Sequence, residues 1–116
     1  AFVGETSSGA APAIVAGDFN AREDSPQVQA LLAGGWIDTY RTANPGEPGL
    51  TCCSDDLADP NQALDKRIDY IFLVPGDGSL EVSGSRVIFD RPAQTDGGWL
   101  WASDHAGLLT TLSAEP

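Results

Sequence analysis

The residues best equipped for chemistry in this chain are Ser103-Asp104-His105. His105 is the only histidine. Imidazole is the one side chain whose ordinary pKa lets it give or take a proton near neutral pH. The carboxylate beside it, Asp104, is a hard oxygen donor suited to Mg²⁺, Mn²⁺ or Ca²⁺. An apolar run, Ala106-Gly107-Leu108-Leu109, follows directly. Taken alone, three such residues are better explained as a capped turn with a structural histidine, because short motifs match often by chance.

Two more polar sites shift that balance. Ala13-Ile14-Val15-Ala16 is short and apolar, as a buried strand should be, and runs into Gly17-Asp18-Phe19-Asn20. The period of two puts Asp18 and Asn20 on one face and Phe19 on the other. In α/β proteins, ligands bind outside the carboxyl ends of strands, where this pair falls. Arg67 to Val74 is the clearest strand. Ile68, Tyr70, Phe72 and Val74 line one face, and Asp69, Ile71 and Leu73 the other. Both faces are apolar, so the strand is expected to be central. Asp69 is the exception, and a buried carboxylate needs a partner. Arg67 or Lys66 would make a structural ion pair. His105 would make a dyad in which the carboxylate orients the imidazole and raises its basicity.

The remaining chain supplies supports. Ser25-Pro26 reads as N-cap and first position of a helix, with Val28, Leu31 and Leu32 on one face and Gly34-Gly35 ending it. Trp36 to Tyr40 is expected to be extended. Asn44 to Gly49 is a loop by its punctuation. Leu50 to Cys53 reads as a strand, and Ser54 to Asn61 as a solvated acidic loop without EF-hand spacing. Strands are expected at 80–83 and 86–89 around a kink or hairpin at Gly84, and again at Leu108 to Leu112. Asp90 to Gly98 reads as loop. Trp99 and Trp101 fall on one side, either stacking on a substrate or, as tryptophans more often do, packing on the core. Residues 1–12 read as the tail of an earlier element followed by a loop.

Composition bounds the function. The 116 residues suit a single domain, and 41% hydrophobic content permits a core. No stretch has transmembrane length, and no signal peptide is visible at Ala1. The chain has no Met, so it is expected to begin inside a longer protein. Net charge is −11 from 17 acids and 6 bases, which argues against strong nucleic-acid affinity. It does not exclude phosphate chemistry, because a bound divalent cation reverses the local field. The adjacent Cys52 and Cys53 would point to opposite faces of a strand, and sequence neighbours seldom meet disulfide geometry. Ser103 and His105 are too close, and a Gly-x-Ser-x-Gly elbow is missing, for a serine hydrolase.

The order Gly17-Asp18-Phe19-Asn20, Arg67-Ile68-Asp69-Tyr70-Ile71-Phe72, Ser103-Asp104-His105 resembles the C-terminal half of the endonuclease/exonuclease/phosphatase (DNase I-like) superfamily, from about residue 13 to residue 112. Thr51-Cys52-Cys53 and Arg67-Ile68-Asp69 look like a bacterial, often secreted, branch. The resemblance implies an α/β fold: half of a two-sheet sandwich, its sheet mixed but mainly antiparallel, with one or two helices. On this reading residues 1–116 are one domain, the C-terminal portion of the family's.

The resemblance also implies a phosphodiester or other phosphoester substrate and a Mg²⁺ or Mn²⁺ cofactor. By position, Asp18 resembles the acid that handles the attacking water or the leaving oxygen. Asn20 resembles the amide on the scissile phosphate. Asp69 looks like the residue orienting the histidine, Asp104 like a metal ligand, and His105 like the acid–base residue on the phosphate. Trp101 is a further candidate for substrate contact. The family's upstream Asn and its metal-ligating Glu have no counterpart here, so the fragment is expected to be inactive alone. The rival expectation is a noncatalytic half-domain that pairs with the missing N-terminal half or a second copy through an uncovered apolar sheet face.

Overall fold

The computed structural model describes residues 11–78 and 80–114; the expected tail and loop at the N-terminus lie largely outside them. Strand β1 (Ala13–Asp18) pairs antiparallel with β3 (Asp69–Val74), which also holds the two-residue β2 (Ile37–Asp38), giving the order β1-β3-β2. β3 is central, as its two apolar faces require. Tyr70 and Phe72 on one face are fully buried with Val28, and Trp36 and Val74 complete that cluster. Phe19 sits edge-on to both Tyr70 and Phe72, at 5.7 and 5.2 Å between centroids. Burying each such side chain contributes about 1.5–3 kcal/mol.

Helix α1 (Pro26–Ala33) covers this face, with Val28 buried and Leu31 and Leu32 packed beside it. It begins because the Ser25 hydroxyl accepts the Val28 N–H at 3.2 Å and proline occupies the first turn. It ends at Gly34, and Gly35 takes the positive φ of +95° that turns the chain toward Trp36.

Four segments differ from the sequence expectation. Trp36 to Tyr40 is extended only through Asp38. The Asp38 carboxylate then accepts the Arg41 N–H and starts a second helix, α2 (Thr39–Ala43). Leu50 to Cys53 is not a strand: Cys52 makes isolated bridges to Lys66 on one side and His105 on the other. Cys52 and Cys53 are joined in a disulfide across a cis peptide bond, contrary to the expectation from an extended backbone. Residues 80–88 form one continuous strand, β4 (Leu80–Ile88), and the irregularity near Gly84 is a bulge, not a hairpin.

β4 pairs antiparallel with β7 (Gly107–Ala114), and β7 and α2 pack on the second face of the central sheet. Thr39 ties the layers together, its hydroxyl donating to the Ile71 carbonyl at 2.7 Å and lying 2.8 Å from the Thr110 hydroxyl. The expected loop 90–98 contains a strand instead: β5 (Ala93–Thr95) turns through Asp96-Gly97 into β6 (Gly98–Leu100). The described residues form an α/β arrangement with two helices and strand pairs that are all antiparallel, which fits the expected half of a DNase I-like sandwich. Its radius of gyration is 16.1 Å, against about 13 Å for a compact domain of about 100 residues. Ile14 (53% exposed) and Leu109 (43%) remain open to solvent. Among the described residues, no helix is long and apolar enough to cross a membrane.

Candidate active site

Three chain segments converge at one end of the central sheet. Asp18 closes β1 directly opposite Asp69, which opens β3. His105 arrives from the segment before β7, held beside them through Cys52. The Cys52 N–H donates to the Lys66 carbonyl at 3.0 Å, the Ala106 N–H to the Thr51 carbonyl at 2.7 Å, and the Ser54 N–H to the Asp104 carbonyl at 2.8 Å. The buried Thr51 hydroxyl accepts from the N–H groups of Ile68 and Asp69 and fixes the start of β3.

His105 Nδ1–H donates to Asp69 Oδ2 at 2.7 Å. Nε2 lies 3.9 Å from Asp18 Oδ2 and 3.6 Å from Cys52 Sγ. The hydrogen bond to Asp69 raises the imidazole pKa above 6.5, opposed by partial burial and reinforced by the charges of Asp69, Asp104 and Asp18. With Nδ1 committed, Nε2 is the ring nitrogen left for a ligand. Asn20, in the left-handed region at φ 49°, donates its backbone N–H to Asp18 Oδ1 at 2.7 Å and holds that carboxylate in place.

Arg67 has a different partner from the one its position suggested. Its guanidinium grips Asp38 with two contacts of 2.6 Å and lies over the rings of Tyr70 and Tyr40. Both side chains of that pair are 4% exposed. Asp69 is thereby left to the histidine. Glu23 joins this network through Arg41 at 2.8 Å, and that bond holds its carboxyl below the usual range. Burial pushes the Tyr70 phenol up to about 12; its hydroxyl stays protonated and donates toward the Ala21 and Arg67 carbonyls. Asp38 escaped the sequence reading, although a carboxylate between Ile37 and the buried Thr39 was a signal for a buried pair.

The carboxylates of Asp18 and Asp69 and the ring of His105 place ligand atoms within 4.8 Å of one another. Asp104 is exposed, its Oδ1 accepting from the Ser103 hydroxyl at 3.2 Å, and stands outside that cluster. The two cysteine sulfurs also lie near His105, but the disulfide removes them as thiolate ligands. Trp101 is 3% exposed and donates Nε1–H to the Asp59 carbonyl, so it packs against the 54–62 loop and offers no free face for stacking. Trp99 is exposed instead, and the two indoles do not share one environment. Clefts of about 450, 370 and 540 Å³ are lined by residues other than Asp18, Asp69 and His105, and Trp101 borders the second and third.

The described strand pairs are antiparallel, and a carboxylate-oriented histidine stands at the ends of the central strands. Residues 2–105 match the Endonuclease/Exonuclease/phosphatase family, and the chain belongs to it. Among solved structures, an endonuclease/exonuclease/phosphatase family protein from Leptotrichia buccalis C-1013-b is similar at 29% identity and a TM-score of 0.58. The similarity covers 88% of this chain and 35% of that one, so the chain spans well under half of its relative's length. No curated protein matches.

Proposed function

We propose that this chain carries one half of a divalent-cation-dependent phosphoester hydrolase site, as the C-terminal portion of the family domain, and that it is nearly inactive alone. The observation that carries the reading is the single histidine bonded through Nδ1 to Asp69, with Asp18 3.9 Å from Nε2. Phosphodiester hydrolysis needs an activated water, protonation of the leaving oxygen, and donors on the phosphoryl oxygens. Asp18 orients or deprotonates the water. His105, made more basic by Asp69, holds a proton at Nε2 and donates it to a phosphoryl or leaving oxygen. The Asn20 side-chain amide donates to the phosphate.

Asp104 is the residue we assign to the metal. Its exposed carboxylate is a hard oxygen donor of the type Mg²⁺ or Mn²⁺ takes, and Asp18 stands near the same histidine. A bound cation would stabilise the negative charge developing on the phosphoryl group. One carboxylate is few for Mg²⁺, which favours six oxygens, so the site calls for ligands beyond these residues. The test is hydrolysis of a generic phosphodiester, with and without Mg²⁺, by this chain and by the longer protein that contains it.

The second reading is a noncatalytic half-domain that acts by association with its N-terminal half or a second copy. The open Ile14 and Leu109 favour it. Loss of all turnover in the longer protein, with association intact, would select this reading.

A further inference from the structure

Cys52 and Cys53 are not used by the chemistry above, yet they touch it. Cys52 is 1% exposed, and its backbone is fixed by the bond from its N–H to Lys66 and the 2.9 Å return bond from the Lys66 N–H. Its Sγ lies 3.6 Å from His105 Nε2, the one ring nitrogen that Asp69 leaves free. Cys53 is half-buried where Cys52 is fully buried, so a reductant is expected to attack at Cys53. We propose that Cys52–Cys53 is a thiol–disulfide switch acting on His105, opened by a dithiol reductant. This proposal rests on the phosphoester reading only for its consequence, the loss of the phosphate contact.

The step balances without a further reagent. A thiolate of the reductant attacks Cys53 Sγ, forms a mixed disulfide, and expels Cys52 as a thiolate that takes up a proton. The reductant's second thiol then displaces Cys53 and leaves as a cyclic disulfide. Two electrons and two protons have passed to the pair. In the disulfide, the sulfur facing Nε2 carries no proton and is a weak acceptor, so a phosphoryl oxygen meets little competition. In the dithiol, Cys52 becomes a group that both donates to and accepts from Nε2. Its fixed backbone keeps it at the ring, where it competes with phosphate. The disulfide form is therefore the competent one.

The single histidine gives a single imidazole NMR signal, which reads the switch without any turnover. The unreduced chain should resist iodoacetamide and take up two alkyl groups after dithiol treatment. Reduction at fixed pH should move the His105 resonance, and reoxidation should restore it. Inorganic phosphate should perturb that resonance in the oxidised form and bind at least about tenfold more weakly in the reduced form, the scale of one charge-assisted hydrogen bond. Cys53→Ser should match the reduced form with or without reductant; if that variant fails to fold, the reversible wild-type cycle gives the same reading. An unmoved resonance in the reduced chain, its two thiols verified by alkylating a separate unfolded aliquot, or alkylation before reduction, overturns the proposal. A redox shift without any response to phosphate in either form supports the switch and counts against the phosphoester reading.

Discussion

His105 Nδ1–H and Asp69 Oδ2 meet at 2.7 Å although 36 positions separate them in sequence. The contact depends on Arg67 being occupied elsewhere, with Asp38. It sets the tautomer of neutral His105, leaves Nε2 for a ligand, and raises the affinity of the ring for its proton.

Replacing Asp69 by Asn should lower the His105 pKa toward 6.5, measured on its lone imidazole resonance. The folded-state pKa is raised, so the stabilisation from Asp69 is fully present below pH 6.5 and is lost as pH rises through the raised value. Denaturation of wild type and Asp69→Asn should therefore diverge most in acid, within the range where other carboxylates remain ionised, and converge as pH rises past the raised histidine pKa. An unchanged histidine pKa in the variant would remove the dyad from the account.

The Arg67–Asp38 pair is predicted to be structural. Arg67→Ala leaves the buried Asp38 carboxylate without its partner and should cost about 3–5 kcal/mol in urea unfolding; after Asp38→Ala, Arg67 keeps Glu23 at 3.3 Å and the loss should be smaller. Exchanging both for well-packed apolar residues should recover most of that loss. A cost below about 1 kcal/mol, the range of exposed pairs, would mean the pair is solvated.

Phe72→Ala tests the core beneath the site. Phe72 is fully buried among Tyr70, Trp36 and Phe19, and truncation should cost about 3–5 kcal/mol. A calorimetric midpoint unchanged from wild type would show that α1 does not close on this sheet.

Association is the next expectation. With Ile14 and Leu109 open, the chain should sediment as a dimer or larger at micromolar concentration or bind an apolar-surface dye, and Ile14→Asp should reduce both. A monomer that binds no dye would contradict it.

The legible parts of this chain are those where one period dominates. β3 read as a central strand because its two faces are apolar, and α1 was bounded by Ser25-Pro26 and Gly34-Gly35. Asp18, Asp69 and His105 were found as polar exceptions on apolar elements, and the fold brings them together. Other features depend on long-range partners. Asp38 could start α2 and bind Arg67 only once the chain had folded, so Trp36 to Tyr40 read simply as extended. Residues 50–53 take their backbone partners from both 65–66 and 105–106, which no local pattern encodes. The β5–β6 hairpin is different: Asp96-Gly97 is a strong turn signal, passed over within a polar run.

The most direct measurement of the central claim is turnover of a phosphodiester by the longer protein and by these 116 residues alone, each with and without Mg²⁺. The account predicts metal-dependent hydrolysis by the longer protein and almost none by the chain. It also predicts a loss of roughly a thousandfold or more for His105→Ala in the longer protein, equivalent to several kcal/mol of transition-state stabilisation. Full turnover after His105→Ala, or no turnover on any class of phosphoester, would contradict it.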